Sequence, residues 1–268
     1  MHGVVPRPGV GRLLFGLDVR AETLEEAVAA VEEAIRNRRP TRHLALNAAK
    51  VSKMTRDPRF LEMFSHFEMI HADGASIVWA SRLLGHPLPQ RVAGIDLMQR
   101  LVERSAELGW RPFFLGAKAN VLAECVRRLK ERHPTLEIAG SRDGYWREGD
   151  PTEEMAVVDE VRSSRADLLF VAVPTPRKER FLLAHGNALG VPFMMGVGGS
   201  FDVIAGHVKR APLAWQKCGF EWAYRLLQEP RKMWKRYLVT NTHFLLIVTK
   251  AVLSSRATRQ EIDVEGRH

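Results

Sequence analysis

The sequence predicts an α/β protein: a doubly wound, mainly parallel sheet followed by a basic helical appendage. Three observations carry this. Short apolar runs alternate with stretches of helical period through the first 200 residues, the pattern of repeated βαβ units. The 268 residues are 46% hydrophobic, enough for one large core and too apolar for a disordered chain. After Asp202 the strand signals stop, and an aromatic, basic, helical pattern takes over. Residues 1–202 therefore read as a Rossmann-like catalytic or binding domain and 203–268 as the appendage.

Taken in order, Arg12 to Val19 reads as the first strand, and Thr23 with Glu26 reads as a capping box opening a helix. Further strands are predicted at His43–Leu46, Glu68–His71, Pro112–Leu115, Glu137–Ala139, Asp167–Val173 and Pro192–Met195. Helical periods fill Ala75–Leu84, Gly94–Leu108, Asn120–Arg132, Thr152–Ser163 and Lys178–Leu189. Such units join by right-handed crossovers into a parallel sheet. Ligands of these sheets bind beyond the carboxyl ends of the strands, so the residues that follow strands are the ones to weigh.

The formal net charge is +9, and between Lys209 and Lys250 nine basic residues stand against two acidic ones. Trp222, Leu226, Met233 and Tyr237 share one helical face, while Arg225, Glu229, Lys232 and Arg236 share the adjoining one; Pro230 divides or kinks the segment. A charge so placed marks an anionic partner, whether nucleic acid, membrane lipid or a phosphorylated substrate, or else a solvated helical face. Two cysteines, Cys125 and Cys218, without CxxC or HxxxH spacing, exclude a disulfide scaffold and give no zinc pattern. The opening residues lack an apolar leader core, and no membrane span is expected, because the longest apolar candidate, HFLLIVTKAVL, is interrupted by Lys250.

Six motifs place chemistry after strands. In IHADGAS, Asp73 is either a helix N-cap or a carboxylate aimed into the cleft, and Asn47 after HLAL has the same two readings. PLPQRVAGIDLM offers the Arg91 guanidinium and the free N–H groups of a helix start at Gly94, a phosphate-binding combination or a plain surface loop. FFLGAK sets Gly116 and Lys118 at a strand end, with Asn120 as the expected N-cap, and is not a Walker loop. DGYW offers Tyr145 as a ring for a base or as a lid contact, and VAVPTPRKERF brings Arg177, Lys178 and Glu179 to a helix start. MMGVGGSFD holds Gly196, Gly198 and Gly199 with Asp202 near, but Phe201 stands where a dinucleotide fingerprint needs its last glycine. No D-x-D pair occurs to hold a metal on a nucleotide diphosphate, so cations and backbone N–H groups would have to do that work.

The series LN, HADG, PQRVAGIDLM, FFLGAK, DGYW, VPTPRKERF, GVGGSFDVIAGHVKRAP and EWAYRLLQEP, in this order from Arg12 to Tyr237, resembles the WecG/TagA/CpsF glycosyltransferases, glycosyltransferase family 26. The resemblance implies an inverting, metal-independent and cofactor-free transfer of N-acetylmannosamine or a related hexose. The donor would be a UDP-sugar and the acceptor a sugar on a polyprenyl diphosphate, at the cytoplasmic face of a membrane, for a surface polysaccharide. It implies Asp73 as general base and Arg91 on the leaving diphosphate. Asn47, Gly116, Lys118, Tyr145, Lys178, Gly198 and Asp202 would line the donor site. Arg225, Arg231, Lys232, Lys235 and Arg236 would grip the lipid diphosphate, with self-association tied to ordering of the appendage. Ala45 and Lys178 depart from the Thr and Gln common in the family, so the sugar itself is expected to differ. A basic nucleic-acid-binding protein is the alternative, from Trp222, Tyr224, Trp234 and Tyr237 set among cations. It leaves unexplained why Asp73, Arg91 and Asp202 follow strands. A sugar-nucleotide epimerase or dehydrogenase is opposed by the missing GxGxxG.

Overall fold

The structure, a computed structural model, describes residues 11–265, without the side chains of 217, 232, 233, 236 and 255–265; the opening segment, on which the leader reading falls, lies outside the described residues. Where one first strand is predicted there are two, β1 (Gly11–Leu14) and β2 (Leu17–Arg20), paired antiparallel. Phe15 and Gly16 turn the chain with φ of 54° and 81°, the left-handed pair that a two-residue hairpin needs. Phenylalanine in the first of these places hides the turn from sequence.

Six parallel strands follow: β3 (Thr41–Leu46), β4 (Met69–Ala72), β5 (Pro112–Gly116), β6 (Gly140–Arg142), β7 (Leu168–Ala172) and β8 (Phe193–Gly196). Their spatial order is β4-β3-β8-β7-β5-β6. The expected strand at Glu137–Ala139 forms three residues later. A Cβ on Gly140 would sit 2.5 Å from the Phe113 ring, so the ladder begins where no side chain blocks that ring. Every residue of β5 and β7 is buried, as a sheet covered on both faces requires.

The sheet alternation assigns the helices to two layers. Phe114, Phe170, Phe193 and Met195 pack with α1 (Leu24–Arg36), α5 (Gly94–Leu108), α6 (Ala119–Arg132) and α9 (Ser200–Ile204). Phe113, Leu115, Leu169, Val171 and Met194 pack with α2 (Ala48–Arg56), α3 (Pro58–Ser65), α4 (Ala75–Leu83), α7 (Pro151–Ser163) and α8 (Arg177–Leu189). Each fully buried Phe or Leu contributes about 1.5–3 kcal/mol. The capping box is present, Thr23 and Glu26 each bonding the other's backbone N–H. Helix α6 starts one residue early, with Lys118 and not Asn120 at its N-cap. Helices α2 and α3 escape the hydrophobic pattern because Lys50, Lys53, Arg56 and Arg59 dilute it; their caps Asn47 and Asp57 mark them instead. A partly buried chain ties the hairpin to the sheet: Arg20 to Glu22 (2.8 Å), Glu22 to His71 (3.0 Å) and His71 to His43 (3.1 Å). Burial, then the charge of His71, keeps His43 well below the ordinary histidine range.

The last part forms three helices, α10 (Leu213–Lys217), α11 (Glu221–Gln228) and α12 (Pro230–Glu265), with Pro230 at the start of the long one. Trp222 of α11 meets Tyr237 of α12, ring centroids 5.8 Å apart, as the shared face predicts. The sequence expectation of no span-length stretch needs correction: Tyr237–Ser254 is an 18-residue run of mean hydropathy 1.2, long and apolar enough by length and composition to cross a membrane. A continuous helix averages Lys250 in with its apolar neighbours. One side of this stretch lies on the domain, with Phe244 and Val248 buried, His243 Nδ1 2.7 Å from Ser52 Oγ, and Phe244 against Phe15. The opposite side leaves Leu238, Val239, Leu245, Leu246 and Leu253 exposed.

So few anchors make docking of α12 separable from folding of the sheet. Phe244→Ala, which removes about 3 kcal/mol of buried ring, should raise amide exchange along α12 while β5 and β7 keep full protection. Equal loss in both would show one cooperative unit.

Candidate active site

The carboxyl ends of β3, β4, β5, β7 and β8 bring most of the predicted residues to one edge. At the end of β4 the chain turns through Asp73 and Gly74. Gly74 is the N-cap of α4 and makes no side-chain bond, so Asp73 does not cap the helix that follows it. Its Oδ1 instead accepts a 2.8 Å hydrogen bond from the Gly94 N–H, at the start of α5. Its backbone N–H is held by the Leu46 carbonyl, 2.8 Å away. Oδ2 has no hydrogen-bond partner among the described residues, so the half-buried carboxylate is oriented by one oxygen and leaves the other open. Asn47 lies alongside, its Cβ 4.0 Å from where a Gly74 Cβ would stand, and does cap α2 through the Lys50 N–H. Its side-chain N–H₂ has no bond among the described residues.

Beneath Asp73 lies a buried charge cluster that the sequence reading only partly named. Lys50 Nζ bonds the Ala45 carbonyl (2.8 Å) and pairs with Glu179 Oε1 (3.1 Å); Lys178 Nζ pairs with the same oxygen (3.3 Å) and donates to Thr175 Oγ1 (2.5 Å). Lys178 is 6% exposed and Glu179 1%. Burial pulls the Glu179 carboxyl upward, but Lys50 and then Lys178 outweigh it and leave it below the usual range. Burial, then Lys50, push Lys178 down to about 8, with Asp73 among the charges that oppose the drop. The Lys178 stem fills the space over Gly196, where a Cβ would lie 2.7 Å from it. Lys50 was missed because a lysine in a short helix reads as solvated; its signal is the spacing from Asn47, which points it back under β3.

The ends of β5, β6 and β7 close on one another. A Cβ on Gly116, at φ 119°, would meet the Ala172 backbone at 2.6 Å, and one on Gly144 would meet Val173 at 3.1 Å. Backbone packing thus requires glycine at 116, while a side chain at 144 would need its neighbours to give by a few tenths of an ångström. Arg177 lies over the Trp146 ring (4.0 Å to its centroid) and donates to the carbonyls of Gly144 and Trp146. It thereby fixes the loop that carries Tyr145, whose ring is 69% exposed at the rim. Lys118 is exposed at the start of α6.

Beyond β8, Gly198 takes φ 54° with open space around it, and Gly199 lies under the Arg225 guanidinium, a Cβ there being 3.3 Å from Nη2 and 4.0 Å from Asp202 Oδ2. Helix α11 therefore reaches over the glycine turn. Arg225 makes no side-chain hydrogen bond or ion pair among the described residues, and its Nε is buried without a partner. Arg91 is engaged differently: Nη1 donates to Glu221 Oε2 (2.7 Å) and Nη2 to Gln216 Oε1 (3.3 Å). Arg231 and Lys235 are exposed on α12, Lys235 over the Trp234 ring, and Lys232 and Arg236 lie outside the described residues as far as their side chains go. No group of three or more His, Cys, Asp or Glu among the described residues is arranged to hold a metal ion.

Residues 12–258 match the model of the glycosyl transferase WecG/TagA/CpsF family. The chain is also 38% identical over 182 residues to the N-acetylglucosaminyldiphosphoundecaprenol N-acetyl-beta-D-mannosaminyltransferase of Bacillus spizizenii, covering 68% of each.

Lys178 gives the site a pH signature. In the folded chain it loses its proton near pH 8, in the unfolded chain only near the ordinary 10.5. Between these values the unfolded chain holds the extra proton, so stability rises with pH across that window, by about 3 kcal/mol at most. Urea unfolding from about pH 7 to about pH 10 should show wild type gaining on Lys178→Met; parallel curves would contradict a buried, charged Lys178.

Proposed function

Because the chain belongs to the WecG/TagA/CpsF family of glycosyltransferases, we propose that it moves a hexose from a UDP-sugar to a sugar carried on a polyprenyl diphosphate, with Asp73 as general base. The relative's N-acetylmannosamine and N-acetylglucosamine-diphosphoundecaprenol are the first donor sugar and acceptor to test. The observation that carries the proposal is the Asp73 carboxylate, held through Oδ1 by the Gly94 amide with Oδ2 open at the strand ends.

In the step proposed, Oδ2 takes the proton of the acceptor hydroxyl while that oxygen bonds to the anomeric carbon from the face opposite UDP. The carbon–oxygen bond to UDP breaks, its electron pair leaves with the diphosphate, and configuration inverts. Backbone N–H groups at the Gly198 turn, the loop at Gly116 and the Lys118 ammonium would receive the donor diphosphate. Asp202 would take the ribose, Tyr145 the base, and Asn47 and Lys178 the sugar. Arg225, with Arg231, Lys232, Lys235 and Arg236, would hold the lipid diphosphate, and the leucines exposed on α12 would face the membrane surface. The donor diphosphate is given to cations and N–H groups, so the proposal assigns no metal. Of the rings behind the nucleic-acid alternative, Trp222 packs at a tilt against Tyr237 and Tyr224 meets the edge of Trp215, while Trp234 is exposed beneath Lys235.

With an N-acetylglucosamine-diphosphate lipid and a panel of UDP-sugars, UDP release should fall about 10²- to 10⁴-fold in Asp73→Asn, with UDP affinity retained. Near-normal turnover in that variant would remove Asp73 as the base. Release should also persist in excess EDTA; a loss that Mg²⁺ or Mn²⁺ restores would overturn the metal-free assignment.

A further inference from the structure

We propose that Arg91 is a positioning residue, acting through Glu221 to seat α11 so that Arg225 lies over the Gly199 turn; this rests on the glycosyl-transfer reading above. The resemblance implies that Arg91 steadies the leaving diphosphate, but both of its terminal nitrogens face the appendage.

Arg91 stands in the short loop before α5, next to the Asp73–Gly94 bond. Its two partners, Glu221 and Gln216, lie on either side of the turn between α10 and α11. Gln216 passes the tie onward, Nε2 donating to the Ala211 carbonyl at 2.6 Å. Glu221 is gripped a second time by Arg210, whose Nε is 3.6 Å from Oε1, and Arg210 Nη1 pairs with Asp96 of α5 at 2.6 Å. The turn is also pressed against α4: at Gly219, φ 77°, a Cβ would lie 2.8 Å from the Ala75 Cβ and 3.0 Å from the Trp79 ring. One segment thus meets the starts of both helices that flank Asp73.

Glu221 and Arg225 are four residues apart on α11, hence on one face. Fixing Glu221 from below sets where Arg225 comes down. The pair is partly withdrawn from water, the side chains of Arg91 and Glu221 being 20% and 33% exposed, so it is not a freely solvated surface contact. Arg225, left without a side-chain partner, is the group available to an anion. The assignment divides the labour: Arg91 spends its charge on the appendage carboxylate, and Arg225 brings an unspent charge to the diphosphate.

Arg91→Met, Glu221→Gln and the double variant test this; neutral substitutions avoid setting a new cation against Arg210. Hydrogen exchange of α10 and α11 and turnover with the lipid acceptor are read on all three, with UDP affinity as a check on the folded donor site. Each single variant should speed exchange in α10–α11 and lower kcat/KM for the lipid acceptor on the order of tenfold to a hundredfold. The double should fall short of the product of the two singles, because both remove the Arg91–Glu221 bond and only the Gln216 and Arg210 contacts are lost separately. Losses that multiply, or a turnover defect in Arg91→Met with α11 exchange unchanged, would overturn the proposal and put Arg91 on the substrate itself. The exchange measurement needs no reaction. If Asp73→Asn proved active and the chemistry had to be reassigned, coupled exchange would still support the latch and uncoupled exchange would still remove it.

Discussion

A parallel sheet buried on both faces has only its two ends in which to keep polar residues. Here β5, β7 and β8 are covered above and below, so the polar groups that follow them collect at the carboxyl edge. Asp73, Asn47, Lys178 and the Gly198 turn come from segments far apart in sequence, yet this single constraint places them together. The bond from the Gly94 amide to Asp73 then converts proximity into orientation. It links a strand end to a helix start across a topological jump, and it leaves the carboxylate one open oxygen.

The buried cluster below Asp73 is the costliest part of this edge. Two ammonium groups share one oxygen of Glu179, whose second oxygen is buried without a hydrogen-bond partner among the described residues. Removing such charges from water costs several kcal/mol each, and pairing recovers that only when geometry is good. A hydrophobic packing of the same volume would be the cheaper way to fill the space. On the function proposed, the cluster is preorganised charge beside the reacting groups, in keeping with the proposed sugar contact of Lys178.

How much of this was legible in the sequence depends on which physical signal each feature leaves. The strands β3, β4, β5, β7 and β8 are runs of apolar residues, and their placement was readable to within a residue or two. The capping box was readable because two side chains at fixed spacing make it. The hairpin at Phe15 was not, since its turn uses a residue with no turn preference. Asp73 was ambiguous for a related reason: N-caps and catalytic carboxylates look alike after a strand, and that it turns from the helix following it to the amide of a residue 21 positions away is visible only in three dimensions. Ion pairs such as Arg91–Glu221 and Lys50–Glu179 join residues 130 and 129 positions apart, as their numbering gives. No local pattern encodes them.

The long helix at the end of the chain has a consequence for handling as well as for placement. Its inner side is occupied by α2 and the hairpin, while Leu238, Leu245, Leu246 and Leu253 point away from the body. In dilute buffer those leucines can leave water only against other exposed apolar surface, further copies of the same chain included. A bilayer or a detergent micelle offers them a competing apolar solvent. On the membrane role proposed above, colloidal behaviour and lipid affinity draw on the same side chains, and a change that improves one is drawn from the other.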